Sequence, residues 1–294
     1  MKTYLSHHSA AAYWNIPYLE TVLGYDNDET STVDITVSER GARAAKQNQI
    51  IHLCEIDLPA NAVVPKDGIM MASPELVFLQ LASKLDVHRL ILLGLQLCSH
   101  SPGKPSEAIT TKTKLKNFLA KTHGHRGQRK ALRAVKYIEN SSASIMESLV
   151  FMIFTLPHAL GGYGLDSAVL NYEIIIKDEA TKRLGQKRCY ADIYYKQEKL
   201  AVEYNSFAFH ASPAEQGKDE MRSTILERQS IEVMNLSTIQ LYDNLACKDF
   251  AMNLASRLGR RIQIRTSKFD DMHTLLRTLL PTGKPASELS VEEY

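Results

Sequence analysis

Alternating apolar and polar positions predict several short strands along the chain. The segments TVDITVS and QIIHLCEI show this pattern in the first half, and AVLNYEIII and STIQLY show it in the second half. The segment RCYADIYYKQEKLAVEYN contains two such runs around the polar stretch Lys196–Lys199. It is therefore expected to form a β-hairpin.

Helical periodicity and capping residues predict helices between these strands. The segment SHHSAAAYWNIP is expected to form a short helix, and Ser73 and Pro74 open a leucine-rich helical region that breaks near Asp86. A strongly apolar helix is expected from Ser141 to Leu156. Two later helices are expected in SPAEQGKDEMRSTILERQSIEV and NLACKDFAMNLASRLGRRI.

The order of these elements predicts an α/β protein. Residues 1–110 are expected to form a smaller α+β domain, and residues 111–138 a basic helical connector. Residues 139–270 are expected to form a mixed sheet flanked by helices, and residues 271–294 a C-terminal tail.

Composition narrows the class of protein. The chain has 294 residues, 44% of them hydrophobic, which is enough for one large or two ordinary domains. The four cysteines lie far apart and form no CxxC pair, so neither a cysteine zinc site nor a disulfide framework is indicated, and a reducing cytoplasm is expected. Neither a signal peptide nor a membrane span is predicted.

The net charge of +2 is small, but the charge is unevenly distributed. Nine Lys or Arg and no Asp or Glu occur between Lys112 and Lys136. Two interpretations stay open, a solvated helix face or a surface that contacts phosphates. The candidate nucleic-acid contacts are Lys112, Lys114, Lys116, Arg126, Arg129, Lys130, Arg133 and, further along the chain, Arg222.

Three acidic residues lie within apolar segments, namely Glu147, Asp192 and Glu203. A buried carboxylate needs a partner, so each could pair with a nearby Lys or Arg, or simply face water. Asp192 and Glu203, however, lie on the two strands of the predicted hairpin. Carboxylates from neighbouring strands can hold a hard cation such as Mg²⁺ or Mn²⁺, and the hairpin is therefore a candidate metal site.

The segment ADIYYKQEKLAVEYNSFAFHASPAEQGKDEMR, Asp192–Arg222, resembles the Vsr-like and DUF559 branch of the PD-(D/E)XK nucleases. That family combines an Asp on one strand, a hairpin, an acidic motif on the next strand, a following His and a helix with Asp and Arg. The resemblance implies a restriction-endonuclease-like fold and Mg²⁺-dependent DNA cleavage, with RNA as an alternative substrate. It assigns catalytic roles to Glu147, Asp192, Glu203, Asn205 and His210, and metal ligation to the first three.

Asn205 departs from the family pattern, which commonly has a charged group at this position. An amide can donate and accept hydrogen bonds but cannot act as a general base. His210 would position or deprotonate the attacking water, or would make a structural hydrogen bond. Three hypotheses therefore stand. They are a metal-dependent endonuclease, a catalytically degenerate nuclease fold that binds DNA or a partner protein, and a purely structural interaction protein.

The first block has a second resemblance. The segments SHHSAAAYWNIP and QIIHLCEIDLPANAVVPKDGIMMASPELVFLQLA are similar to a domain of AbiEi-type antitoxins, which implies a setting of phage defence, toxin–antitoxin pairing or mobile elements. A partner protein from such a system is therefore a further expectation. The adjacent His7 and His8 are interpreted as packing at the start of a helix.

Overall fold

The computed structural model describes residues 3–24, 32–39, 48–176, 187–205 and 224–281. The chain divides into two compact units, Met1–Ser141 and Ser142–Tyr294.

The first unit contains a five-stranded mixed sheet in the order β3-β2-β1-β5-β4. Strand β1 pairs antiparallel with β2 and parallel with β5, while β2 pairs parallel with β3, and β4 antiparallel with β5. The five strands are Thr3–Leu5, Val33–Val37, Gln49–Leu53, Val63–Lys66 and Ile69–Ala72. The sequence pattern predicted β2 and β3 but not the other three, which have only three or four residues each.

Helices complete the first unit, and side-chain caps mark where some of them begin. The side chain of Ser73 accepts a hydrogen bond from the backbone N–H of Leu76, and Asp86 accepts bonds from His88 and Arg89. The predicted break near Asp86 is therefore confirmed. The helices are α1 (His7–Tyr13), α2 (Leu19–Leu23), α3 (Pro74–Leu81), α4 (Val87–Leu97), α5 (Lys112–Leu119) and α6 (Gln128–Ala134).

The basic segment forms the helices α5 and α6, as predicted, and lies inside the first unit. Helix α5 contacts α3, and α6 contacts α4. Helix α5 buries Leu115 and Leu119, and α6 buries Ala131 and Ala134. Hydrophobic burial therefore fixes both helices within the core of this unit.

The second unit contains a four-stranded sheet in the order β6-β7-β8-β9. Its strands are Ala168–Ile175, Arg188–Tyr195, Leu200–Asn205 and Glu232–Ser237. Strand β7 pairs antiparallel with both β6 and β8, and β9 pairs parallel with β8. The predicted hairpin is confirmed, because Tyr195 pairs with Leu200 across the turn at residues 196–199.

Helices flank this sheet in the second unit. Helix α7 (Ile145–Thr155) contacts β6, β7 and β8. Residues 224–228 are also helical. They are followed by α8 (Thr238–Tyr242), α9 (Asn244–Arg257) and α10 (Phe269–Arg277).

Two predictions in this region were wrong. The segment STIQLY is not a strand, because Ser237 and Gln240 form a capping box that starts α8. The preceding helix does not extend through SIEV. Ser230 has a left-handed φ of 60°, and the N–H of Ile231 bonds to the carbonyl of Leu226, so the helix ends and β9 begins after it.

The predicted α/β class is confirmed in its general form, since both mixed sheets are flanked by helices. Within the described ranges, no helix combines the length and apolar content that crossing a bilayer requires. The cysteines Cys54, Cys98, Cys189 and Cys247 form no disulfide.

Candidate functional site

The strands β7 and β8 separate at the two acidic residues of the hairpin. Their pairing runs from Tyr195–Leu200 to Ile193–Val202. Beyond that step, β7 continues in pairing with β6, and β8 continues in pairing with β9. Asp192 and Glu203 are the next residues on each strand, so both acids lie where the strands diverge.

The Asp192 side chain bridges this opening. Its Oδ2 accepts a hydrogen bond of 2.9 Å from the backbone N–H of Tyr204, the residue after Glu203. The carboxylate thereby takes the place of a ladder bond that the separating strands no longer make. Asp192 and Glu203 are both half-buried, and the bridge fixes the orientation of the Asp192 carboxylate beside β8.

Glu147 reaches the same region from α7. Its backbone N–H donates to Ser144 Oγ, and its Oε2 accepts hydrogen bonds from Ala143 N at 2.9 Å and Asn171 Nδ2 at 2.5 Å. Asn171 lies on β6. The β6–β7 pairs on either side of Asn171 place it opposite Asp192. The buried Asn171 therefore connects Glu147 to the strand that carries Asp192.

Of the remaining residues of the predicted site, the structure describes only Asn205. Asn205 is the exposed last residue of β8, and its Nδ2 donates to Asn235 Oδ1 on β9 at 3.3 Å. The predicted residues His210 and Arg222 lie outside the described residues.

The donor atoms at the strand opening suit a hard cation. Carboxylate oxygens are the ligands that Mg²⁺ and Mn²⁺ prefer, and the predicted set of Glu147, Asp192 and Glu203 supplies three of them. Two of the three are already engaged, since Asp192 Oδ2 and Glu147 Oε2 accept hydrogen bonds. Among the described residues, these three acids do not form a group whose ligand atoms all lie within 4.8 Å of one another. Asp192 and Glu203 lie on adjacent strands, each one residue beyond the last pair of the β7–β8 ladder.

No family model, curated protein or solved structure matches this chain. Its chemistry is therefore inferred from its own residues.

The predicted nucleic-acid contacts divide into two groups. Lys112 is 3.2 Å from Glu139 Oε2, and the ammonium of Lys130 donates to the Leu85 carbonyl at 2.8 Å, so both contribute to the packing of the first unit. The others on α5, on α6 and in the segment between them are exposed, and no ion pair among the described residues involves them. These exposed residues are Lys114, Lys116, Arg126, Arg129 and Arg133.

A second polar cluster lies in the first unit, and sequence reasoning missed it. His7, Asp34 and His52 each offer a ligand atom, and the three atoms lie within 4.8 Å of one another. Nε2 of His52 is 2.6 Å from Asp34 Oδ1, and the His7 and His52 rings stack with centroids 3.6 Å apart. His8 Nδ1 lies 3.6 Å from Asp34 Oδ2.

Local contacts position this cluster at the start of α1. The backbone N–H of Ser6 donates to the Asp34 carbonyl, and Ser9 Oγ accepts from the Asp34 N–H at 2.8 Å. The His7 N–H donates to the Gln80 side chain on α3 at 3.0 Å. The start of α1 is thus joined to both β2 and α3, which brings His7 and His8 to Asp34.

Burial shifts the ionisation of two members of the cluster. Burial lowers the pKa of His7 to about 3, and the nearby His52 adds to this effect. Burial by itself would raise the pKa of Asp34, but hydrogen bonding with His52 and His8 holds that pKa well below its usual range. At neutral pH the cluster therefore contains an ionised carboxylate beside a neutral imidazole.

Proposed function

We propose that this protein is a metal-dependent nuclease whose active site is the opening between β7 and β8. The observation that supports it most is the position of Asp192 and Glu203, one on each strand, at the step where the strands separate. Such an opening exposes two carboxylates on a rigid sheet. Preorganised carboxylates of this kind suit a divalent ion and a phosphodiester substrate.

The proposed metal ligands are Asp192 and Glu203, with Glu147 as a third acid. A bound Mg²⁺ or Mn²⁺ would polarise a phosphoryl oxygen and lower the pKa of a coordinated water. The chain's own residues hold the acids in place. Tyr204 fixes the Asp192 carboxylate, and Asn171 with Ala143 fixes that of Glu147.

The proposed substrate is DNA. Its support is the set of exposed cations on α5 and α6 and between them, which have no acidic partner among the described residues and could neutralise phosphates. His210 keeps the water-positioning role that the nuclease resemblance implies, and Arg222 keeps its phosphate contact. The setting of defence or toxin–antitoxin function follows from the antitoxin-like resemblance of the first block.

Cleavage of plasmid and single-stranded DNA with Mg²⁺ or Mn²⁺ tests this proposal. Asp192→Asn is the sharpest variant, because an amide oxygen can still accept the Tyr204 hydrogen bond while the charge is lost. Glu203→Gln is its companion. Glu173→Gln is the matched control, since Glu173 lies on β6 and pairs with Arg188 at 3.1 Å.

We expect cleavage by the wild type and the control, and a loss of at least about a hundredfold in the two site variants. Equal activity in all four proteins would refute the proposed site. A wild type that binds DNA without cutting it would refute the nuclease.

One observation favours a second function, in which the fold binds DNA without catalysis. Asn205 is neutral and its amide donates to Asn235, so the end of β8 presents no charged group for catalysis. This alternative predicts salt-sensitive binding without cleavage. Asn205→Asp is the informative variant, because cleavage gained by this one change would identify the missing group.

A further inference from the structure

We propose that His7, Asp34 and His52 form a binding site for a transition-metal ion of the Zn²⁺ class in the first unit. Two imidazoles and one carboxylate come from three separate elements, α1, β2 and β3, and their ligand atoms lie within 4.8 Å of one another. Imidazole nitrogen together with one carboxylate oxygen is a donor set that suits Zn²⁺ better than Mg²⁺.

Binding of an ion requires the three side chains to rearrange. Two ligands of a tetrahedral Zn²⁺ lie about 3.3 Å apart, from metal–ligand distances of about 2.0–2.1 Å. The His52 Nε2 and Asp34 Oδ1 atoms are 2.6 Å apart. An ion therefore needs the His52–Asp34 pair to open and one imidazole to turn out of the His7–His52 stack, so that a nitrogen lone pair of each ring faces the ion. His52 is partly exposed and lies on β3, an edge strand of the sheet.

Hydrogen bonds around the cluster orient the ligands. Ser6 Oγ lies 3.1 Å from Nδ1 of His7, which leaves Nε2 of that ring for a metal. Ligating histidines commonly have such a partner on their second nitrogen, which fixes the tautomer and the ring plane. His8 Nδ1 lies 3.6 Å from the other oxygen of Asp34, at the edge of the cluster.

Two buried hydroxyls beside the cluster are an independent observation. Tyr4 Oη interacts with Thr36, but neither Tyr4 Oη nor Thr36 Oγ1 forms a hydrogen bond of normal geometry among the described residues. Tyr4 pairs with Thr36 across β1 and β2, and Thr36 pairs with His52 across β2 and β3. Buried polar atoms without partners are costly. A metal-bound water beside His52 would give the neighbouring Thr36 hydroxyl a partner.

Binding of Zn²⁺ to the full-length chain tests the site. The protein is treated with a chelator, desalted and titrated with Zn²⁺ against a chromophoric chelator, and with Co²⁺ while visible absorption is recorded. We expect one high-affinity ion per chain and the absorption of a low-symmetry Co²⁺ site. Asp34→Asn and His52→Ala should each weaken binding by at least about tenfold.

His100→Ala is the matched control, because His100 lies in the same unit and bonds to Ser101 and Ser141 instead. Its affinity for Zn²⁺ should equal that of the wild type. A chain that binds no Zn²⁺ saturably, or whose affinity is unchanged in both site variants, overturns the proposal.

Two further measurements keep the result interpretable. The ring nitrogens of His7 and His52 should shift in ¹⁵N NMR spectra of the wild type when Zn²⁺ is added, which needs no variant that folds poorly. An Asp192→Asn/Glu203→Gln variant should retain full Zn²⁺ stoichiometry. Loss of Zn²⁺ from that variant would place the ion in the second unit and refute the site at His7, Asp34 and His52.

Discussion

The close contact between α4 and Ile138, which lies four residues after the end of α6, yields a quantitative prediction. Gly94 lies in α4, and a Cβ added there would be 2.7 Å from Ile138 Cγ1, 3.1 Å from Phe78 Cε2 and closer still to Ile138 Cδ1. All of these distances are shorter than ordinary contact. Gly94→Ala therefore has to displace Ile138, which is 1% exposed.

The expected change in the free energy of unfolding for Gly94→Ala is the balance of two opposing effects. Overpacking of a core costs about 1–3 kcal/mol, whereas replacing a helical glycine by alanine contributes up to about 1 kcal/mol in stability. Gly94→Ala should therefore destabilise the first unit by up to about 2 kcal/mol. Ile138→Ala removes the obstructing side chain and should cost about 2–5 kcal/mol by itself.

The double variant separates overpacking from other causes. When Ile138 is already alanine, the new methyl at position 94 enters vacated space, so its overpacking cost disappears and its helical gain remains. We therefore expect Gly94→Ala to be neutral or stabilising in the Ile138→Ala background, with a coupling of at least about 1 kcal/mol.

Urea unfolding followed by tryptophan fluorescence measures the free energy of unfolding of the two single variants and of the double variant. The chain has one tryptophan, Trp14, whose indole N–H donates to the Ala72 carbonyl at 2.8 Å, so the signal reports on the first unit. Additive effects of the two substitutions would refute the packing explanation.

Two further predictions concern the second unit. The hydroxyl of Tyr195, a fully buried residue, donates to the Leu165 carbonyl at 2.8 Å, so Tyr195→Phe should lower the free energy of unfolding by about 1–3 kcal/mol in urea melts followed by circular dichroism. Tyr242 is exposed, so Tyr242→Phe should change the free energy of unfolding by less than about 0.5 kcal/mol. Equal losses of stability in the two variants would contradict this reasoning. Burial lowers the pKa of His273, whose Nδ1 donates to the Gly161 carbonyl at 2.7 Å. Below about pH 6.5 the histidine of the unfolded chain binds a proton that the histidine of the folded unit does not. The free energy of unfolding of this unit should therefore decrease as the pH is lowered, by at most about 1.4 kcal/mol per pH unit, until the pH reaches the pKa of the folded state. NMR titration should give a midpoint for His273 below the ordinary histidine value, and His273→Asn, which can retain the donor, should reduce the pH dependence; an ordinary midpoint would contradict the effect of burial.

Local elements with strong end signals were predictable from the sequence. Ser73 and Asp86 marked the starts of α3 and α4, and the polar turn at residues 196–199 marked the hairpin of β7 and β8. These signals depend on neighbours within a few residues, where capping and turn chemistry operate. The segment STIQLY failed because its apolar alternation concealed a capping box.

The candidate site at the strand opening was partly predictable for the same reason. A hairpin makes its two strands neighbours, so Asp192 and Glu203 could be assigned to adjacent strands from the sequence. The separation of the strands at these residues depends on β6 and β9, which are distant in sequence. Only the structure showed that Asn171 links Glu147 to this region.

The sequence by itself determined where most helices and the hairpin form, because those choices rest on contacts close along the chain. The tertiary structure decided which strands lie side by side, since the order β3-β2-β1-β5-β4 depends on pairing between distant segments. The cluster of His7, Asp34 and His52 shows the difference most clearly. No spacing rule connects residues so far apart, and they meet because α1 docks on β2 while β3 pairs beside it.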